Sequence, residues 1–230
     1  EKFKIKAHAV CGLSLGEYSA LVAAGSTDFS TAVQLVRERG RLMQEAVPIG
    51  NGAVAAIMGL DTAVIEQICT ETEGTVSVAN YNCPGQLVVA GETTAVEAVM
   101  GRCLQLGAKR AIKLPVSAPF HTVMLKNAGE ALRPHLEKAG LRKPAVPVIS
   151  NLTADYYGDN NLVDLLVGQV YNPVRFEGCV RKLIGDGFTT FVEVGPGSTL
   201  ASFIKRIDKN AIVHSIENRD GVKKLLEVWN

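Results

Sequence analysis

Along the chain the apolar positions change period again and again, from the unbroken runs of buried strands to the three-and-four spacing of helices. Ala7 to Cys11 is a short apolar run bounded by glycine, as expected of a buried parallel strand. From Glu17 to Ala24 the spacing is helical and stops at Gly25, a C-cap signal, and a second helix is predicted from about Asp28 to Glu45. Pro48 and Gly50-Asn51-Gly52 then interrupt the pattern. Beyond them "AVAAIMGL" reads as a strand, Asp61 to Thr72 as a helix, "VSVAN" and "QLVVAG" as strands, Thr94 to Leu106 as a helix and "RAIKLPV" as a strand. Thr94 and Glu97 stand at capping-box spacing. The order β-α-β-β-α-β is that of a ferredoxin-like unit, placed at residues 47–119.

Past His121 the two periods alternate again. Asn127 to Ala139, Leu162 to Val170, Phe176 to Ile184 and Thr199 to Ile207 read as helices, with "PVIS", "FTTFVEV" and "AIVHSI" as buried strands. Residues 1–46 and 120–230 are therefore predicted to form an α/β domain with a mainly parallel sheet, interrupted by the smaller unit.

Composition narrows the function classes. With 230 residues, 47% of them hydrophobic, the chain has material for a large core. A net charge of +1, with no basic run, argues against nucleic acid or a membrane surface as partner. Five cysteines, none in a C-x-x-C pair, suit a reducing compartment better than a disulfide framework or a zinc site, and no metal or cofactor is expected. No apolar stretch reaches the length of a membrane span, and Glu1 to Lys6 has no signal-peptide core, so a cytoplasmic protein is expected.

The candidate chemistry starts at "VCGLSLGEYSALVAAG". Gly12-Leu13-Ser14-Leu15-Gly16 is a G-x-S-x-G sequence at a strand-to-helix junction, where a tight turn projects the serine hydroxyl and the following helix aims its free N–H groups at it. Ser14 is thus a candidate nucleophile, the alternative being a polar residue in a tight connection. A serine nucleophile needs a base. His8 reads as a packed strand residue and His135 as exposed. His121 follows "PVSAPF" where the small unit returns to the large one, and His214 matches the chain order of an α/β-hydrolase triad. Spacing favours neither.

On a helical wheel of Phe29 to Met43, Leu42, Leu35, Ala32, Met43, Val36 and Val33 share one arc with Phe29 and Gly40, while Arg37, Arg41, Gln34 and Glu38 oppose it. Arg39 falls inside the apolar arc. A guanidinium cannot lie there unpaired without cost. It either pairs with a buried acid, snorkels to water, or grips an anionic substrate such as a carboxylate.

Ser14, Arg39 and His121, with "GLSLGEYSALVAAG", "RERGRLMQEAVP", "VANYNCPGQLVVAG", "LPVSAPFH", "QVYNPVRF" and "EVGPGSTL", resemble the malonyl-CoA:acyl carrier protein transacylase family over essentially the whole chain. The resemblance implies a hydrolase-like α/β domain with an inserted ferredoxin-like subdomain, no cofactor, and malonyl-CoA and acyl carrier protein as partners. It makes Ser14 the nucleophile, His121 its base, the backbone carbonyl of Gln169 the group that orients His121, and the Leu15 N–H an oxyanion donor. Arg39 would pair with the free carboxylate of malonyl, across the length of a three-carbon diacid from Ser14. Asn80 and Asn82 would line the site, and Phe120 goes with malonyl over methylmalonyl. Two departures stand out. Leu13 replaces a histidine common in the family, and the family's G-Q-G-S-Q loop, several dozen residues upstream and the source of a second oxyanion donor, is not in this sequence. A serine hydrolase using Ser14 and His214, or an inactive truncated fragment that binds acyl carrier protein or a partner chain, are the alternatives.

Overall fold

A computed structural model describes residues 6–116, 118–158 and 162–229; Ser117 of the "LPVSAPFH" stretch and most of the Glu1 to Lys6 segment lie outside them. The chain is mixed α/β. Helix α1 (Leu15–Ala23) ends as its sequence predicts: Gly25 takes φ of 73°, and the Gly25 and Ser26 N–H groups bond the Val22 and Leu21 carbonyls. Helix α2 (Phe29–Glu45) starts at Asp28, whose carboxylate accepts from the Thr31 N–H. These two helices pack with α5 (Lys126–Lys138) and α6 (Leu162–Tyr171) around Tyr18, Leu21, Leu35, Leu132 and Leu166.

Residues 52–113 form a four-stranded antiparallel sheet of β1 (Gly52–Met58), β2 (Val76–Cys83), β3 (Gln86–Glu92) and β4 (Arg110–Lys113). The strand order is β2-β3-β1-β4, with Val54 opposite Ala90. Side chains alternate across it. Ala53, Ala55, Ile57, Val78 and Val89 face α3 (Thr62–Glu71) and α4 (Thr93–Gln105), whose Ile65, Ile68, Val96 and Val99 complete a dry core. Val54 and Val88 face the other way, with Leu114 beside them. The free edge of β2 continues onto the 172–175 segment: the Tyr81 N–H bonds the Val174 carbonyl and the Val174 N–H bonds that of Ala79, at 2.9 and 2.8 Å.

Three expectations need correcting. The predicted capping box on α4 does not form: the cap position is Glu92, Thr93 bonds the Gly50 carbonyl, and Glu97 pairs instead with Lys113 across to β4. His8 is exposed rather than packed, because the apolar run meets its neighbour only at a single parallel bridge, Val10 to Val148. The mainly parallel sheet is slight among the described residues. Only β5 (Thr190–Val194) and β6 (Ile212–Ile216) make a parallel pair, linked through α8 (Thr199–Ile207), and neither strand is fully buried. Helices α7 (Phe176–Gly185) and α9 (Arg219–Val228) complete the chain.

Candidate active site

Ser14 caps α1 with φ of 53° and ψ of −104°, a left-handed backbone that a residue with a Cβ adopts only when its surroundings force it. Gly12 is part of that force. A Cβ there would stand 2.0 Å from the Gly16 carbonyl carbon, so the incoming segment can approach the helix start only as glycine. Gly16 meets no such limit, since a Cβ on it finds open space. The turn is held from the side by Asn151, whose Oδ1 accepts from the Ser14 N–H and whose Nδ2 donates to the Gly12 carbonyl, both at 2.6 Å.

His121 meets the hydroxyl. It too has a positive φ, 61°, and is buried. Its Nε2 is 2.7 Å from Ser14 Oγ and its Nδ1 is 2.8 Å from the main-chain oxygen of Gln169. A carbonyl can only accept, so Nδ1 carries the proton and Nε2 presents its lone pair to the Ser14 O–H. Burial, reinforced by the nearby Arg39 cation, pushes the imidazole pKa down to about 4, so the ring is neutral near pH 7. His214 lies on β6 and makes no hydrogen bond to Ser14 among the described residues; the histidine brought to the serine is His121.

Arg39 projects from the buried face of α2 and is only 6% exposed. Its Nη2 donates to Ser14 Oγ and to Gln169 Oε1, each at 3.0 Å, and the guanidinium lies 5.7 Å from the centre of the Tyr18 ring. No carboxylate forms a salt bridge with it among the described residues, and its buried Nε has no partner. Both structural alternatives therefore fail: the cation neither pairs directly with an acid nor snorkels to water. The expected gap of a three-carbon diacid between Arg39 and Ser14 is also absent: Arg39 Nη2 lies 3.0 Å from Ser14 Oγ, so the guanidinium rests on the hydroxyl itself.

A cavity of about 430 Å³ opens beside these groups. Asn80 and Asn82 of β2, with Val54 and Val88, form one wall from the sheet face turned away from α3 and α4. Phe120, Leu13, Leu114, Val116 and residues of α8 also line it, and Leu13 packs onward against the core around Phe176 and Phe203. Asn82 is buried with its Oδ1 unpartnered among the described residues. Leu15 opens α1, so its N–H has no partner within the helix.

Four elements of the site escaped the sequence reading: Asn151, Glu17, Tyr157 and the side chain of Gln169. Glu17 is wholly buried and accepts from Tyr157 Oη, from Gln169 Nε2 at 2.7 Å and from the Asn151 N–H at 3.2 Å. One signal was available, because Glu17 shares its helical face with Ala20, Leu21 and Ala24, the same misplaced charge that marks Arg39. Nothing local marks Asn151 or Tyr157.

A hydroxyl on a strained turn at the start of a helix, bonded to an uncharged imidazole, equips a protein for serine-centred acyl chemistry. The chain belongs to the acyl transferase domain family, whose profile matches residues 5–220. It is 42% identical over 234 residues to the malonyl CoA-acyl carrier protein transacylase of Bacillus subtilis, covering 99% of this chain and 74% of that protein. The crystal structure of malonyl CoA-acyl carrier protein transacylase from Clostridium perfringens superposes with a TM-score of 0.95 at 43% identity, covering 98% of this chain and 72% of the other. A malonyl-transacylase solved in complex with its type II polyketide acyl carrier protein matches with a TM-score of 0.95 at 40% identity, covering 98% and 74% of the two chains.

Proposed function

We propose that the chain moves a malonyl group from coenzyme A to the phosphopantetheine thiol of an acyl carrier protein through a malonyl ester on Ser14. The observation that carries this reading is the hydrogen-bonded run from Arg39 and His121 to one serine oxygen, with Arg39 buried and without a direct acid partner. Ser14 Oγ attacks the thioester carbonyl as its proton passes to His121 Nε2. The carbon–sulfur bond then breaks, and the coenzyme thiolate recovers the proton from the imidazolium. In the second half the carrier thiol gives its proton to His121 and attacks the ester, and Ser14 leaves with that proton. The Gln169 carbonyl fixes the imidazole tautomer without adding a charge. The Leu15 N–H, at the positive end of α1, is the oxyanion donor in this reading.

Arg39 takes the free carboxylate. Its Nε–H, which has no partner among the described residues, and the Nη2–H now on Ser14 Oγ are donors that an acyl carboxylate can claim once the hydroxyl has become an ester, while Gln169 Oε1 keeps the other Nη2–H. Asn80, Asn82 and Phe120 line the acyl cavity, and the family resemblance is what supports reading Phe120 as favouring malonyl over methylmalonyl. We read the architecture as a hydrolase-like α/β domain, residues 1–46 and 120–230, with a ferredoxin-like subdomain at 47–119. The strand order β2-β3-β1-β4, and a helix-to-sheet core drawn only from residues 53–111, support that division. Five free cysteines suit the cytoplasm as the place of action. No helix of the described residues is long and apolar enough to cross a membrane. The test is transfer itself: with malonyl-CoA and a phosphopantetheinylated carrier protein the chain should produce malonyl-carrier, and Ser14→Ala should not.

A further inference from the structure

Glu17 has no part in that cycle, yet it sits at the centre of the site's hydrogen bonding. It lies three residues past Ser14 on α1, with its side chain wholly withdrawn from water. A buried carboxyl is costly unless well hydrogen-bonded. Its partners come from two separate parts of the chain: Tyr157 Oη and the Asn151 N–H from one loop, and Gln169 Nε2 from α6.

The Gln169 amide faces two acceptors on one side and a donor on the other. Its Nε2 donates to Glu17 Oε2 at 2.7 Å and to the Ser14 carbonyl at 2.9 Å, while its Oε1 accepts from Arg39 Nη2 at 3.0 Å. Turned over, the amide would set Nε2 against the arginine N–H and Oε1 against two oxygens. The main-chain oxygen of the same residue holds His121. A carboxylate placed directly on Arg39 would neutralise the cation and compete with any acyl carboxylate. Separated from it by one amide, Glu17 acts on Arg39 through the Gln169 hydrogen bonds and leaves guanidinium N–H groups for a ligand.

We propose that Glu17 is a positioning residue for acyl selection: by locking the Gln169 amide with its oxygen toward Arg39, it holds the guanidinium at the acyl site without capturing it. The inference rests on the reading of Arg39 as the anchor for the acyl group's free carboxylate.

The experiment compares kcat/KM for malonyl-CoA with that for acetyl-CoA, which has no free carboxylate. Glu17→Met removes the acceptor and should lower the malonyl-to-acetyl ratio by about tenfold, the scale of one net hydrogen bond. Glu17→Gln should restore the ratio to near its wild-type value, because its Oε1 can accept from Gln169 and Asn151 while its Nε2 donates to the Tyr157 oxygen. Gln169→Met, which keeps Glu17 but removes the amide, should repeat the loss, and it decides the matter if Glu17→Met does not fold. A purely structural role would depress both substrates alike and leave the ratio unmoved, which overturns the proposal. A wild-type chain with no preference for malonyl-CoA would instead sink the reading of Arg39 and this inference with it.

Discussion

Arg39→Ala separates anchoring of the acyl carboxylate from every other duty of the site. The arginine is 6% exposed, so the bonds it makes to a carboxylate form away from bulk water and are little screened. A hydrogen bond to a charged group contributes about 1.5 to 3 kcal/mol, and a guanidinium engages a carboxylate through two. Truncation should therefore cost about 3 to 6 kcal/mol in kcat/KM for malonyl-CoA, roughly 10²- to 10⁴-fold. Acetyl-CoA cannot use those bonds. It loses only the 3.0 Å contact between Arg39 and Ser14 Oγ, which steadies the oxygen as its proton leaves. That single contact is worth about 1.5 kcal/mol, or roughly tenfold. The assay is thioester consumption with each substrate in turn, alongside a thermal melt to confirm that the variant is folded. A malonyl-to-acetyl ratio falling by about tenfold or more bears the reasoning out. Equal losses for the two substrates would refute it and leave Arg39 a structural cation.

Other outcomes follow from the same geometry. His121→Ala should lower acyl transfer by about 10²- to 10⁴-fold, while His214→Ala, on β6 and without a bond to Ser14, should leave it within about twofold; the reverse pattern in an esterase assay would restore the hydrolase reading. Because burial holds His121 at about 4, kcat/KM for malonyl-CoA should stay level as pH falls through 6.5 and decline only near 4, whereas an inflection near 6.5 would contradict the burial argument. The same shift has a stability consequence. Above pH 6.5 the ring is neutral folded and unfolded, so it contributes nothing; as pH falls toward 4 the unfolded chain takes up a proton that the folded chain refuses, and the fold loses up to about 3 kcal/mol. Urea unfolding at pH 7 and pH 4.5 should show that loss in the wild type and less of it in His121→Ala.

What the sequence made legible divides along a physical line. Patterns carried by neighbours within a few residues came through: the Ser14 turn, the Asp28 cap, Gly25 closing α1, and Arg39 on the wrong side of an amphipathic helix. The four strands and two helices of residues 52–113 also came through, because each has a clean period bounded by glycine, proline or a cap. Bonds between distant residues did not. Asn151 reaches Ser14 and Gly12 across more than a hundred positions, and nothing in "VISNLTAD" sets that asparagine apart from one in a surface turn. The choice between His121 and His214 failed by spacing for the same reason, since only the folded chain sets which imidazole faces the hydroxyl. Glu17 is the instructive miss, because the periodicity test that exposed Arg39 on α2 would have exposed an acid on the buried face of α1. The Thr94 expectation erred the other way: the spacing is right, but the helix already starts at Thr93 with Glu92 in the cap position, so Thr94 lies inside it and Glu97 pairs with Lys113 on β4.

The most direct measurement is the mass of the protein after incubation with malonyl-CoA and no carrier protein, followed by peptide mapping. One malonyl group should appear on the peptide that contains Ser14, be absent from Ser14→Ala, and be discharged when a phosphopantetheinylated carrier is added. No adduct on the wild-type chain, or an adduct that persists in Ser14→Ala, would contradict a malonyl-serine intermediate at this site.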